Sequence, residues 1–164
     1  MWALAFGIGM TAAAACDVRA RRIPNALNLA ILVAGLAARA VAGASIVEGA
    51  CGAMSGLVPL FLLHRAGWIG GGDVKLGAAA GAWLGPIAAT WAVVGGLAAG
   101  GVLAIAVLAA GGRSFRAEVA LNLKTAALSL SLPDAPRRER GKLVPMGVAL
   151  GAAAVCAFAA RGFA

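Results

Sequence analysis

Tyrosine is absent from this 164-residue chain, histidine occurs once, only six residues are acidic, and charged residues of both signs make up 12%. An ordinary soluble domain carries about 25% charged residues. Here 62% of residues are hydrophobic and the mean hydropathy is +0.94, which excludes a soluble fold and points to an integral membrane protein. The three cysteines, Cys16, Cys51 and Cys156, are odd in number, form no C-x-x-C and lie in or beside apolar runs. That pattern argues against a disulfide framework or a zinc site; they are expected to be buried small hydrophobes, and neither metal nor cofactor is expected. The net charge of +8 is not gathered into one aromatic-flanked patch, so no nucleic-acid partner is expected. The basic residues instead punctuate the apolar runs, as topology signals and contacts for anionic lipids.

What is present is a succession of apolar runs. The length fits a single polytopic domain, residues 1–164, of about six transmembrane helices at roughly 20 residues each. Met1 to Cys16 reads as a short first span rather than a signal peptide, because no Lys or Arg precedes Arg19. Ile23-Pro24-Asn25 makes a turn, with Asn25 able to cap the second span, Ala26 to about Gly43. Arg39 is expected to snorkel from the far end of that span. Ser45 and Glu48 have capping-box spacing at the start of the third span, which runs to about His64 with a kink expected at Pro59.

The fourth span opens at Gly70-Gly71-Gly72-Asp73 and reaches Leu84 before Gly85-Pro86, which is short for a crossing of roughly 30 Å. Ile87 to Ala110 is the fifth span and Leu143 to Ala160 the sixth. Between them, Phe115 to Leu130 has a helical rhythm suited to a helix lying on the membrane surface. If the fourth segment crosses, every basic residue except Arg39 and Arg161 falls on one side. The positive-inside rule makes that side cytoplasmic. The many Ala and Gly residues permit close helix packing. Trp68 and Trp83 are expected at the interfaces, and His64 in a turn.

Ionisable groups at or inside a membrane are functional candidates by default. Glu48, Glu118, Asp134 and Glu139 each have a simple structural or solvated place. Asp17 and Asp73 are left, and the topology puts both at the cytoplasmic ends of their spans. Taken singly, Asp17 could pair with Arg19 or Arg21 and Asp73 could cap its helix. Taken together, two partly desolvated carboxylates share one proton over a broad pH range. The charged member can deprotonate water while the neutral one protonates a carbonyl oxygen. The neighbouring glycines allow unusual φ and a close backbone approach to a bound strand. Lys75 could bind a carboxylate or snorkel. Two other classes fit the same residues: a proton-coupled carrier using the aspartates as a relay, and a non-catalytic assembly subunit.

Asp17 followed by Arg21-Arg22-Ile23-Pro24-Asn25, then Gly70-Gly71-Gly72-Asp73-Val74-Lys75-Leu76, then Lys142 and Pro145-Met146-Gly147, resembles the type IV prepilin peptidases, which are GxGD membrane aspartic proteases. The resemblance implies cleavage of the basic leader of a prepilin or pseudopilin ahead of its hydrophobic helix, at the cytoplasmic face of the bacterial inner membrane. It implies Asp17 and Asp73 as the catalytic pair, and Gly70, Gly71, Gly72, Lys75, Asn25 and Lys142 as residues that shape the site. Larger members carry a cysteine-paired insert associated with N-methylation, and here Asp17 is nine residues from the second span. The chain is therefore similar to the short, peptidase-only forms that serve Flp/Tad pili. A basic inner face opposes the approach of a basic leader, so the aspartates or lipid headgroups must supply local attraction.

Overall fold

The computed structural model describes residues 2–20, 22–110, 112, 116–117, 120–121 and 146–161. The helices are α1 (Trp2–Ala20), α2 (Asn25–Val41), α3 (Ile46–Arg65), α4 (Gly71–Ala110) and α5 (Met146–Arg161), with short turns joining α2 to α3 and α3 to α4. Helices α1, α3 and α4 are each long and apolar enough to cross a membrane, and α2 and α5 are shorter apolar helices. The protein is an all-α integral membrane protein. Most of the expected surface helix at 115–130, together with Glu118, Asp134, Glu139, Lys142 and Pro145, lies outside the described residues.

The outer helices bury one stripe each. In α1 the stripe is Phe6, Met10, Ala13 and Asp17, at the three- and four-residue spacing that places side chains on one helix face. Asp17 thus points into the bundle on the same face as the apolar residues before it. In α2 the stripe runs Asn28, Ile31, Gly35 and Ala38, and in α3 Gly49, Gly52, Gly56 and Leu60. Residues 73–85, in contrast, are buried almost all round. They form the central post of the bundle.

Helix α4 is two helices that meet at Gly85, whose φ of 71° and ψ of 173° are not helical. That backbone region is open essentially to glycine alone. Pro86 follows, lacking an N–H that a first helical turn does not need. The chain reverses here. Gly100 packs against Met146 at the start of α5, and the next residue, Gly147, contacts Asp17, whose charge reaches Asp73. Residues 73 and 100 therefore share one end of the bundle, whereas a straight helix would separate them by roughly 40 Å. The expected fourth and fifth spans are the two arms of this hairpin, so α1 to α5 account for the six expected apolar segments. The first arm starts at Gly71, and its 14 residues (71–84) give it about 21 Å of length.

Close backbone approach holds the post to α3. A Cβ on Gly52 would strike the Gly81 carbonyl oxygen and one on Gly56 the Gly77 carbonyl oxygen, while a Cβ on Gly81 would strike Gly52. Lipid offers apolar side chains no hydrophobic drive to leave it, so such small-residue seams, packed backbone to backbone, carry helix association. At the other side of the post the Trp83 ring lies 5.5 Å from Phe6, and Phe6 stacks on Phe158 at 4.7 Å. Trp83 is 5% exposed and its Nε1–H donates to the Ile31 carbonyl at 2.8 Å. It is a core residue, not an interfacial anchor, and Gly35 is where its indole fits.

Arg39 also departs from expectation. It is 8% exposed and turns inward. Its guanidinium donates to the Ser45 carbonyl at 3.0 Å, the Trp83 carbonyl at 3.2 Å and Glu48 Oε2 at 2.6 Å. The break at Gly85-Pro86 interrupts the helical ladder just beyond Trp83, and a cation at that helix end both bonds an orphan carbonyl and complements the dipole. Ser45 accepts the Glu48 N–H at 3.2 Å, the expected half of a capping box. The Glu48 carboxylate is drawn to Arg39. Pro59 sits within a continuous α3. Cys16 is half-buried, and Cys51 and Cys156 are exposed on the outer surface of the bundle, not buried as composition suggests.

Candidate active site

Asp17 lies in the last turn of α1 and Asp73 in the first turn of α4, and each is only 9% exposed. They are 56 positions apart in sequence, at the same end of the bundle, and close enough for the charge of Asp17 to act on Asp73. Each carboxylate is held by a backbone donor. Asp73 Oδ2 accepts the Gly70 N–H at 3.2 Å, the reach-back of an acid at the third helical position that satisfies an orphan donor. Asp17 Oδ2 accepts the Gly147 N–H at 2.9 Å, 130 residues along the chain. An Asp at the end of one helix thus takes a first-turn donor of another.

The three glycines do not adopt left-handed backbone. Among the described residues positive φ occurs at Gly43, Gly67 and Gly85, and Gly71 and Gly72 are already helical. Their use is space. A Cβ on Gly70 would sit 3.1 Å from Asp73 Oδ2, one on Gly72 3.5 Å from Ile23, and one on Gly71 3.5 Å from the His64 ring. Only the first is tight, because Gly70 must let the Asp73 carboxylate fold back over it.

Asn25 does not cap α2. Pro24 occupies the cap position without a side-chain bond, and Asn25 begins the helix with its Oδ1 accepting from Lys75 Nζ at 2.7 Å. Lys75 is exposed, so this bond ties the starts of α2 and α4 together at the rim of the site. Lys142 lies outside the described residues. His64 Nδ1–H donates to the Ile69 carbonyl at 2.9 Å, closing the turn before the glycines, which agrees with a turn role; its ring also lies beside Gly71.

The sequence model described as the type IV leader peptidase family matches residues 4–110. The chain belongs to the type IV leader peptidase family. Both aspartates and the glycine run fall inside the matched region, and α5 lies beyond it. Comparisons with curated proteins and with solved structures return no match.

Two residues of this candidate site were not singled out by sequence. Gly147 is one: in the sequence it stands only as part of the Pro145-Met146-Gly147 motif, and nothing local says that its N–H meets a carboxylate from α1. Asn28 is the other, a polar residue 3% exposed in α2 whose Nδ2 donates to the Gly72 carbonyl at 3.3 Å. Its signal was present, since it lies one helical turn before Ile31 on the inward stripe, where an amide must find a partner. No cluster of three or more metal-ligating side chains occurs among the described residues.

Proposed function

We infer that this protein is a membrane aspartic endopeptidase that removes the leader of a prepilin or pseudopilin, with Asp17 and Asp73 as its acid–base pair. One observation carries the reading. Two carboxylates from distant parts of the chain are buried at one end of a largely apolar bundle, within reach of each other's charge and each oriented by a backbone N–H.

In the proposed reaction the ionised aspartate takes a proton from water as the water oxygen attacks the scissile carbonyl carbon. The neutral aspartate gives its proton to the carbonyl oxygen, so charge does not build up on the tetrahedral species. Collapse of that species breaks the C–N bond. The proton taken from water passes to the departing amine, the hydroxyl proton returns to an aspartate, and the pair is restored. Residues 1–164 act as one domain in the bacterial inner membrane with the aspartates at the cytoplasmic face, the side to which the basic residues assign them. The substrate is a basic leader joined to a hydrophobic helix, and the short link between Asp17 and α2 fits the peptidase-only Flp/Tad type. A carrier would need its relay near the midplane; the last turn of α1 and the first turn of α4 are a poor place for one.

The test is reconstitution of the purified protein in liposomes with a prepilin encoded beside it, read by mobility and by sequencing the new N-terminus. A new N-terminus at the start of the pilin's hydrophobic helix supports the reading. An intact prepilin, across several candidate pilins and with folded protein, counts against it.

A further inference from the structure

Residues 23–28 connect the end of the helix that carries Asp17 to the start of the helix that carries Asp73. Asp17 lies in the last turn of α1, the chain turns through Ile23-Pro24, and residues 23, 25 and 28 then touch the start of α4 at three points. Ile23 packs on Gly72, Asn25 accepts from Lys75 at the rim, and Asn28 donates to the Gly72 carbonyl from inside. Gly72 is the residue immediately before Asp73, and of the two hydrogen bonds the Asn28 one is the more sheltered.

As a stabilising contact Asn28 is a poor choice. Its Oδ1 is buried with no hydrogen-bond partner, and an unsatisfied buried acceptor costs more than an ordinary hydrogen bond returns. An apolar side chain of similar size on this inward stripe would serve packing better. The Gly72 carbonyl, lying in the first turn of α4, already has a helical acceptor role toward residue 76. The bond from Asn28 therefore adds direction rather than satisfying an otherwise orphaned group.

Resting on the aspartic-peptidase reading above, we propose that Asn28 is a positioning residue. By holding the Gly72 carbonyl from α2, it fixes where the first turn of α4 presents Asp73 relative to Asp17. The groups that act electrostatically on Asp73 are Asp17 on α1 and His64 on α3, so a shift of this turn changes the distance of Asp73 from both.

The experiment compares wild type, Asn28→Leu and Asn28→Gln in liposomes. Asn28→Leu removes the donor together with the orphaned acceptor, so its melting temperature is expected to equal or exceed that of wild type. Its kcat is expected to fall about 10- to 100-fold, the scale of effect that misplacing a reacting group by up to an ångström has. KM should stay within twofold and the limbs of the pH–rate profile should move. Asn28→Gln keeps an amide donor and should recover part of kcat. A second readout does not depend on cleavage: the infrared carboxyl band lost in Asp73→Asn should shift in Asn28→Leu. Wild-type kcat, pH profile and carboxyl band in Asn28→Leu overturn the proposal. If either Asp17→Asn or Asp73→Asn keeps substantial cleavage, the aspartic-pair reading fails instead, and the infrared arm still decides whether Asn28 positions Asp73.

Discussion

Replacing Gly147 by alanine tests how closely the site depends on α5. A Cβ at this position would lie 2.9 Å from Asp17 Oδ2 and 3.1 Å from its Cβ and Cγ, whereas ordinary contact begins at 3.4 Å. Asp17 or the start of α5 must therefore move by about half an ångström, lengthening the bond from the Gly147 N–H. A 1 Å misplacement of a catalytic group can lower a rate about 100-fold, so half of that predicts a loss of roughly tenfold in kcat. Folding should suffer little, because alanine favours a helix by up to about 1 kcal/mol over glycine. Gly151→Ala, one turn along the same helix, is the matched control: its Cβ would meet only the Met10 carbonyl oxygen at 3.6 Å, so it should retain full activity. Both are read by initial rates of prepilin cleavage at saturating substrate, with thermal unfolding in parallel. Equal rates in the two variants would refute the claim that Asp17 is held in its working place by α5.

Three further changes separate the frame from the site. Gly81→Val puts a branched side chain against the backbone of Gly52 and should destabilise the bundle by about 1–3 kcal/mol or more, as overpacking does, read by thermal unfolding in detergent. Arg39→Leu strips the Trp83 carbonyl of its buried donor and should lower stability by about 1–3 kcal/mol while sparing kcat in the folded fraction, since Arg39 lies at the other end of the post from Asp73. Lys75→Ala loses only an exposed bond to Asn25. It should change kcat by no more than about threefold and stability by under roughly 1 kcal/mol.

Much of the frame was legible in the chain. Apolar runs announced the spans, and Gly85-Pro86 announced the reversal within what is otherwise a continuous helical stretch. The glycine run marked the entry to the central post. The burial stripe that points Asp17 inward can be counted directly from Phe6, Met10 and Ala13. What could not be read was every partner that the fold supplies from far along the chain. Arg39 looked like a snorkelling residue because the carbonyl it serves belongs to Trp83, 44 positions on. Trp83 looked interfacial because the glycine that admits its indole is in another helix. Asn25 looked like a cap because capping is local, while its actual partner is 50 positions away at Lys75. The cysteines were placed by the average habit of the residue, and Cys51 and Cys156 instead face outward from helices whose inward stripes are already filled by other residues. The site itself was half legible: two acids without a structural place are visible in sequence, but the donors that orient them, at Gly147 and around Gly72, depend on helix packing.

The most direct measurement is prepilin cleavage by wild type, Asp17→Asn and Asp73→Asn in the same liposomes, with each variant shown to be folded by its unfolding transition. The asparagine side chains keep size and hydrogen bonding while removing the exchangeable carboxyl proton. The account predicts that wild type releases the leader and that each variant loses cleavage by several orders of magnitude. Substantial cleavage by either variant would contradict the assignment of Asp17 and Asp73 as the acid–base pair.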